Sequence, residues 1–134
     1  MKLHAHHIAA ALGAIAWLCV VQASPAAAQE ATKVESSNPR SKAPEAIAAG
    51  EELYAKFCLQ CHGTNGDGHS PRWGRIGADL RKFWRGYSEF VTIVAAGRPE
   101  KRMPPWGGVL DADQINDIGA YVETFALPGA KWKD

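Results

Sequence analysis

A chain of 134 residues has room for one domain. Its 15 Lys and Arg against 14 Asp and Glu leave a formal charge of +1, so no overall basic balance points to nucleic acid or to a membrane surface. Three cysteines, five histidines and two methionines are few enough candidate metal ligands that each can be weighed by its position.

Position removes half of them. Lys2 and the early histidines precede an almost unbroken apolar run from Ile8 to Val21, and Ala26-Ala27-Ala28 offers small residues just before Gln29. That order is the pattern of a secretory signal peptide, which predicts removal of residues 1–28, with Ala23 as an alternative cut site. The apolar run is 14 residues long, whereas a membrane span needs about 20, so no stable membrane anchor is expected. Leu18 and bulky Trp17 before Cys19 depart from the lipoprotein pattern, which makes Cys19 an ordinary apolar residue of the discarded segment. The exported chain, expected in the periplasm, keeps Cys58, Cys61, His62, His69 and Met103.

Residues 29–44, rich in Ser, Ala, Lys and Glu with Pro39 and Pro44, read as a flexible leader. From about Pro44 to Cys58 a helix is predicted. Pro44 suits its first turn, Ile47, Leu53, Tyr54 and Phe57 form an apolar stripe, and Gly50 interrupts it at a cost of about 1 kcal/mol, which suggests close packing there. Glycines then punctuate a loop region from Gly63 to Gly86. A short helix is predicted from Ser88 to Ala96, with Ser88 as N-cap and Gly97 closing it in the left-handed conformation. Prolines 99, 104 and 105 make the next stretch irregular. The last helix, Asp111 to Ala126, opens on a capping box of Asp111 and Gln114 and repeats Ile115, Ile118, Val122 and Phe125 at helical spacing. The domain, residues 45–134, is thus expected to be all-α, with long loops that need something to pack on.

Cys58-Leu59-Gln60-Cys61-His62 is the decisive feature, the C-x-x-C-H pattern of c-type haem attachment. Each sulfur must reach one of two vinyl-derived carbons on one edge of the porphyrin. The histidine that follows is swung beneath the ring, where its Nε2 can bind iron. A disulfide would not need His62, a thioredoxin-like pair would expect alternating strands and helices, and a structural zinc site wants four ligands. One haem c is therefore expected, with thioethers at Cys58 and Cys61 and His62 as the proximal iron ligand. Met103, in the proline-stiffened Arg102-Met103-Pro104-Pro105-Trp106 loop, is the candidate distal ligand, a pairing that raises the reduction potential. A gap-filling core role is its alternative. His69 follows His62 by only seven residues in a Gly-rich loop and reads as an exposed histidine.

Gly50-Glu51-Glu52-Leu53-Tyr54, the haem motif with Gly63, Gly66-Asp67-Gly68, Met103-Pro104-Pro105-Trp106 and Ile118-Gly119-Ala120-Tyr121-Val122 together resemble the class I c-type cytochromes, small soluble mono-haem proteins, over about Ala46 to Phe125. The resemblance implies a cytochrome c fold, in which the first helix crosses the last, with a short middle helix, around one covalently bound haem. It places Gly50 near Tyr121 at the crossing. It also implies a backbone carbonyl that orients His62, for which Pro71 and the Gly77-Ala78-Asp79-Leu80 stretch compete.

With both axial places filled by protein, the iron passes electrons and binds no substrate, so a carrier rather than an enzyme is expected. Between Arg72 and Arg102 lie eight Lys and Arg against three Asp and Glu, a basic stretch suited to steering an acidic partner or simply to solvation. Trp73, Trp84 and Trp106 wall the haem or line that surface, with a core role as the default. The Gly66-Asp67-Gly68 and Met103 loops and Lys82-Phe83-Trp84 are similar to small cytochromes serving periplasmic quinoprotein alcohol or methanol dehydrogenases. The expected partners are such a dehydrogenase as donor and a terminal oxidase or another cytochrome as acceptor, met by a monomer. A haem enzyme or sensor with an open sixth position, and a permanent haem subunit of a larger respiratory complex, are the alternatives.

Overall fold

The computed structural model describes residues 37–134; the expected signal segment and residues 29–36 lie outside the described residues. Helix α1 spans Pro44–Phe57, the single-turn α2 spans Leu59–His62, α3 spans Tyr87–Ala96 and α4 spans Ala112–Glu123. Strands β1 (His69–Ser70) and β2 (Gly74–Arg75) pair antiparallel as a small hairpin, His69 opposite Arg75. Short 3₁₀ turns occupy Leu80–Lys82 and Pro99–Lys101. The structure is mostly helical, as expected; the hairpin is an addition that its glycines and short length hid.

The fold is organised by the crossing of α1 on α4. On α1 the buried positions are Ala46, Gly50 and Tyr54, one contact line at i, i+4 and i+8. It is a row of small residues ending in an aromatic. The longer apolar side chains Ile47, Leu53 and Phe57 are only half-buried. A Cβ on Gly50 would overlap the backbone carbonyl of Asp117 and come within 2.9 Å of the Tyr121 Cβ, so the two backbones meet where only glycine fits. On the α4 side Ile118 and Val122 are each about 1% exposed, burial worth about 1.5–3 kcal/mol per side chain. Tyr54, Tyr121 and Phe125 extend the contact as a cluster of edge-on rings, with centroids 4.8–5.7 Å apart.

Asp111 and Gln114 form the predicted capping box: the Asp111 carboxylate accepts from Gln114 N–H at 2.8 Å, and the Gln114 side-chain Oε1 accepts from Asp111 N–H at 3.0 Å. Helix α4 ends at Glu123, short of Ala126, in a tightened turn where Thr124 N–H bonds to the Tyr121 carbonyl. Ser88 is not the N-cap of α3. Gly86 holds that place at φ +84°, and the Ser88 hydroxyl instead donates to the Asp134 carboxylate. Gly97 closes α3 at φ +70° but ψ −174°, an extended exit with positive φ in place of the left-handed helical one.

The end of the expected leader is not free of the fold. Asn38, 4% exposed, donates its amide to the Asn116 carbonyl at 2.8 Å. Arg40 pairs with the buried Asp117 carboxylate, and the Ser41 hydroxyl donates to Glu123. Residues 38–41 therefore lie along α4. At the other end Trp132 packs on Phe83 and Phe90 at 5.1 and 5.2 Å between ring centroids.

Candidate haem cleft

Helix α1 delivers the motif. Its last turn continues into Cys58, whose N–H bonds to the Tyr54 carbonyl at 2.8 Å. The one-turn α2 then places Cys58 and Cys61 three residues apart on one face. His62 N–H returns to the Cys58 carbonyl at 2.9 Å, and Gly63, at φ +79°, stops the turn. The buried Tyr54 hydroxyl donates to the Gly63 carbonyl at 2.7 Å, tying the motif back to the helix crossing. The two cysteines are not joined in a disulfide. Burial, with Cys61 nearby, pushes the Cys58 thiol up to about 12, so it is neutral at physiological pH.

The imidazole is aimed by one backbone group. His62 Nδ1 lies 3.0 Å from the Ala78 carbonyl oxygen. A carbonyl only accepts, so Nδ1 carries the proton and Nε2 presents its lone pair. Burial lowers the His62 pKa against the opposing pull of that carbonyl, which keeps the ring neutral as a ligand must be. The competition between Pro71 and the 77–80 stretch is resolved in favour of Ala78. Gly77 makes the approach feasible, because a Cβ there would overlap the Cys61 carbonyl and sit 3.1 Å from His62 Nδ1.

Met103 is held by a separate clip. Arg98 and Met103 exchange two backbone hydrogen bonds, 2.8 and 3.1 Å, across the Pro99–Lys101 turn, with Arg102 in the left-handed region at φ +62°. The loop then hangs on the end of α3, through Trp106 N–H to the Val94 carbonyl at 3.1 Å and Gly107 N–H to the Ala95 carbonyl at 3.0 Å. A Cβ on Gly97 would come within 2.6 Å of the Pro104 carbonyl carbon. The glycine that ends α3 is thus also what lets the Met103 loop close on it.

These pieces converge. One cleft of about 690 Å³ is lined by Cys58, Cys61 and His62, by Ala78, and by Met103 and Trp106, with Ile118 and Val122 of α4 also in its wall. That volume lies in the range of cofactor pockets, and an apolar wall carrying two thiols, a free imidazole nitrogen and a thioether fits a covalently held haem. Among the described residues no three Cys, His, Asp or Glu side chains cluster as a metal site, which leaves the zinc reading without ligands there. His69 is exposed and outside the cleft lining, as its loop position predicts. Trp106 packs on Phe57 at 5.3 Å. Trp73, by contrast, is 56% exposed and outside the cleft lining, against the default of a core role, while Trp84 stands with Trp106 in the cleft wall.

A family model described as cytochrome C oxidase, cbb3-type, subunit III matches residues 45–122. The chain belongs to the cytochrome c family. It is 34% identical over 89 residues to the cbb3-type cytochrome c oxidase subunit FixP of Bradyrhizobium sp. (strain ORS 278), covering 63% of this chain and 28% of FixP. Cytochrome c6 of Chlorolobion braunii is 32% identical over 87 residues, covering 64% of this chain and 97% of that protein. Cytochrome cL of the marine methylotroph Methylophaga aminisulfidivorans MPT shares the fold at a TM-score of 0.51 and 26% identity, covering 64% of this chain and 57% of that one. This cytochrome thus spans about a quarter of FixP, just over half of cytochrome cL and nearly all of cytochrome c6. Membership of the family implies haem c and an electron-carrying role. Among the described residues no helix is long and apolar enough to cross a membrane.

The sequence reading reached Ala78 and Gly77 only as members of a stretch that competed with Pro71, and Gly97 only as the end of a helix. Gly77 and Gly97 act through backbone proximity and Ala78 through a carbonyl, and none of these roles leaves a side-chain signature.

Proposed function

We propose that this cytochrome is a periplasmic one-electron carrier with a single haem c, bonded to Cys58 and Cys61 and ligated by His62 and Met103. The observation that carries the reading is that the free Nε2 side of His62 and the thioether of Met103 line one cleft, each on a separately rigid support. Bound haem supplies the reversible Fe(III)/Fe(II) couple. Cys58 and Cys61 would hold the group through thioethers, which would prevent its loss. The Ala78 carbonyl holds the imidazole orientation, and the Arg98–Met103 clip fixes the backbone that would present the thioether. On this reading residues 1–28 are removed on export and 45–134 form the mono-haem domain.

The donor we favour is a periplasmic dehydrogenase, of quinoprotein alcohol or methanol type, and the acceptor a terminal oxidase or another cytochrome. The fold shared with a methylotroph's cytochrome cL supports the first, and the oxidase-subunit family match supports the second. That same match favours a second reading, a haem subunit retained in an oxidase complex. Size-exclusion of the native protein separates them: a free carrier elutes as a monomer.

The oxidised protein is expected to show the red-edge absorption band of a Met–Fe(III) bond, to take up one electron reversibly, and to bind carbon monoxide slowly when reduced. Rapid carbon monoxide or cyanide binding without that band would reject the carrier and favour a haem enzyme or sensor. The geometry adds a sharper expectation. Gly97→Ala, which forces a side chain into the Pro104 backbone from a positive-φ position, should cost about 1–3 kcal/mol and weaken the Met band at denaturant concentrations where helical circular dichroism is still native.

A further inference from the structure

We propose that the β1–β2 hairpin is the partner-docking element of this cytochrome, with Trp73 as anchor and Arg72 and Arg75 as guides, for a redox protein presenting carboxylates around an apolar pocket. The inference rests on the one-electron reading above and adds the surface through which it operates.

Trp73 is 56% exposed at the hairpin tip. It is not part of the cleft lining, so its exposure is set by the protein and not by what the cleft holds. A large indole left in water at a fixed position is a ready interface anchor, and Trp and Arg dominate the energetics of protein interfaces. The position is fixed from below. Ser70, 6% exposed, accepts hydrogen bonds through its hydroxyl from Arg72 N–H at 3.2 Å and Trp73 N–H at 3.1 Å. The same hydroxyl meets the Gln60 amide at 3.4 Å. Gln60 lies between Cys58 and Cys61, both in the lining of the cleft. The hairpin therefore rides on the turn that carries the C-x-x-C-H motif, so a partner seated on Trp73 is brought beside that turn.

Charge names the partner. The Arg72 guanidinium lies over the Trp73 ring, 5.7 Å from its centroid. Among the described residues the ion pairs engage Arg40, His69, Arg81, Lys82, Arg85 and Arg98. Arg72 and Arg75 take part in none of them. The nearby carboxylate of Asp67 is occupied by His69. Two uncompensated guanidiniums flanking an exposed indole complement carboxylates around an apolar pocket. Electron transfer then moves one electron from the reduced cytochrome to the oxidised partner, with no bond made or broken and no proton displaced.

The test is stopped-flow oxidation of the reduced haem-loaded protein by a small acidic copper protein, with hexacyanoferrate(III) as a small oxidant that needs no anchor. Trp73→Ala should lower the second-order rate with the copper protein roughly tenfold, and Trp73→Phe should restore most of it. The hexacyanoferrate rate should change less than about twofold, the spread expected of a surface substitution. Arg72→Gln with Arg75→Gln should slow the copper-protein reaction at low salt and lose that effect at high salt. Val109→Ser removes an apolar side chain that is 61% exposed and also outside the cleft lining; it should leave both rates unchanged. A wild-type rate in Trp73→Ala, or equal slowing in Val109→Ser, overturns the docking proposal. Failure of the wild-type protein to reduce hexacyanoferrate overturns the carrier reading instead.

Discussion

Met103→Ala is expected to abolish the red-edge band of the oxidised protein, open the sixth iron position to carbon monoxide and cyanide, and lower the midpoint potential. Axial ligation spans about 0.8 V across haem proteins, and loss of a soft thioether that favours ferrous iron should account for a drop on the order of 0.1–0.2 V. The fold should survive. Met103 is half-buried and packs against the edge of the core, and its loop is held by the Arg98 bridge and by the Trp106 and Gly107 hydrogen bonds to α3, all of which are backbone contacts that the substitution leaves in place. Truncating a partly buried Met costs no more than about 2–3 kcal/mol. Spectroscopy, voltammetry and urea denaturation on one preparation separate the three effects. If the band and the potential are unchanged in Met103→Ala, the thioether is not the ligand and the six-coordinate carrier fails.

The proposed site of this protein is legible because it is written in scarce residue types at fixed spacing. Cys58, Cys61 and His62 need only a local turn to converge, and Met103 stands out as the remaining methionine once the expected signal segment is set aside. The capping box of α4 was equally local, since Asp111 and Gln114 are one turn apart. What the sequence hid depends on distant neighbours. Ser88 has the chemistry of an N-cap, yet Asp134, 46 residues on, takes its hydroxyl. Arg40 reads as part of a solvated leader until Asp117, 77 residues away, is seen to be its counter-charge. Ala78 orients His62 through a carbonyl that every residue possesses, so no side chain could have singled it out from Pro71. The aromatic residues show the same limit in reverse: Phe83 packs on Phe90 and Trp132, while its neighbour Trp84 stands in the cleft wall with Arg85 over its ring, and composition cannot say which of two adjacent aromatics joins the core.

Gly50→Ala tests the feature on which the whole arrangement rests. In an isolated helix the change would stabilise by about 1 kcal/mol. Here the new Cβ would overlap the Asp117 carbonyl and lie 2.9 Å from the Tyr121 Cβ, and both are parts of α4 that cannot turn aside as a flexible side chain would. Asp117 is further pinned by Arg40, so relief requires α1 to lift off α4. Overpacking of this kind costs about 1–3 kcal/mol or more, and backbone against backbone belongs at the upper end. Net destabilisation of about 2 kcal/mol is therefore expected in urea denaturation. Gly108→Ala, with no atom beyond its own chain neighbours within 4 Å of the added carbon, should stay within about 0.5 kcal/mol of the parent. The cost should also appear at the iron, because α1 runs directly into Cys58 and the Tyr54 hydroxyl holds the Gly63 carbonyl. Lifting the helix therefore carries the haem turn away from Met103. A Gly50→Ala protein as stable as the parent, with its Met band intact, would mean that the crossing has slack and that the cleft is positioned by its loops alone.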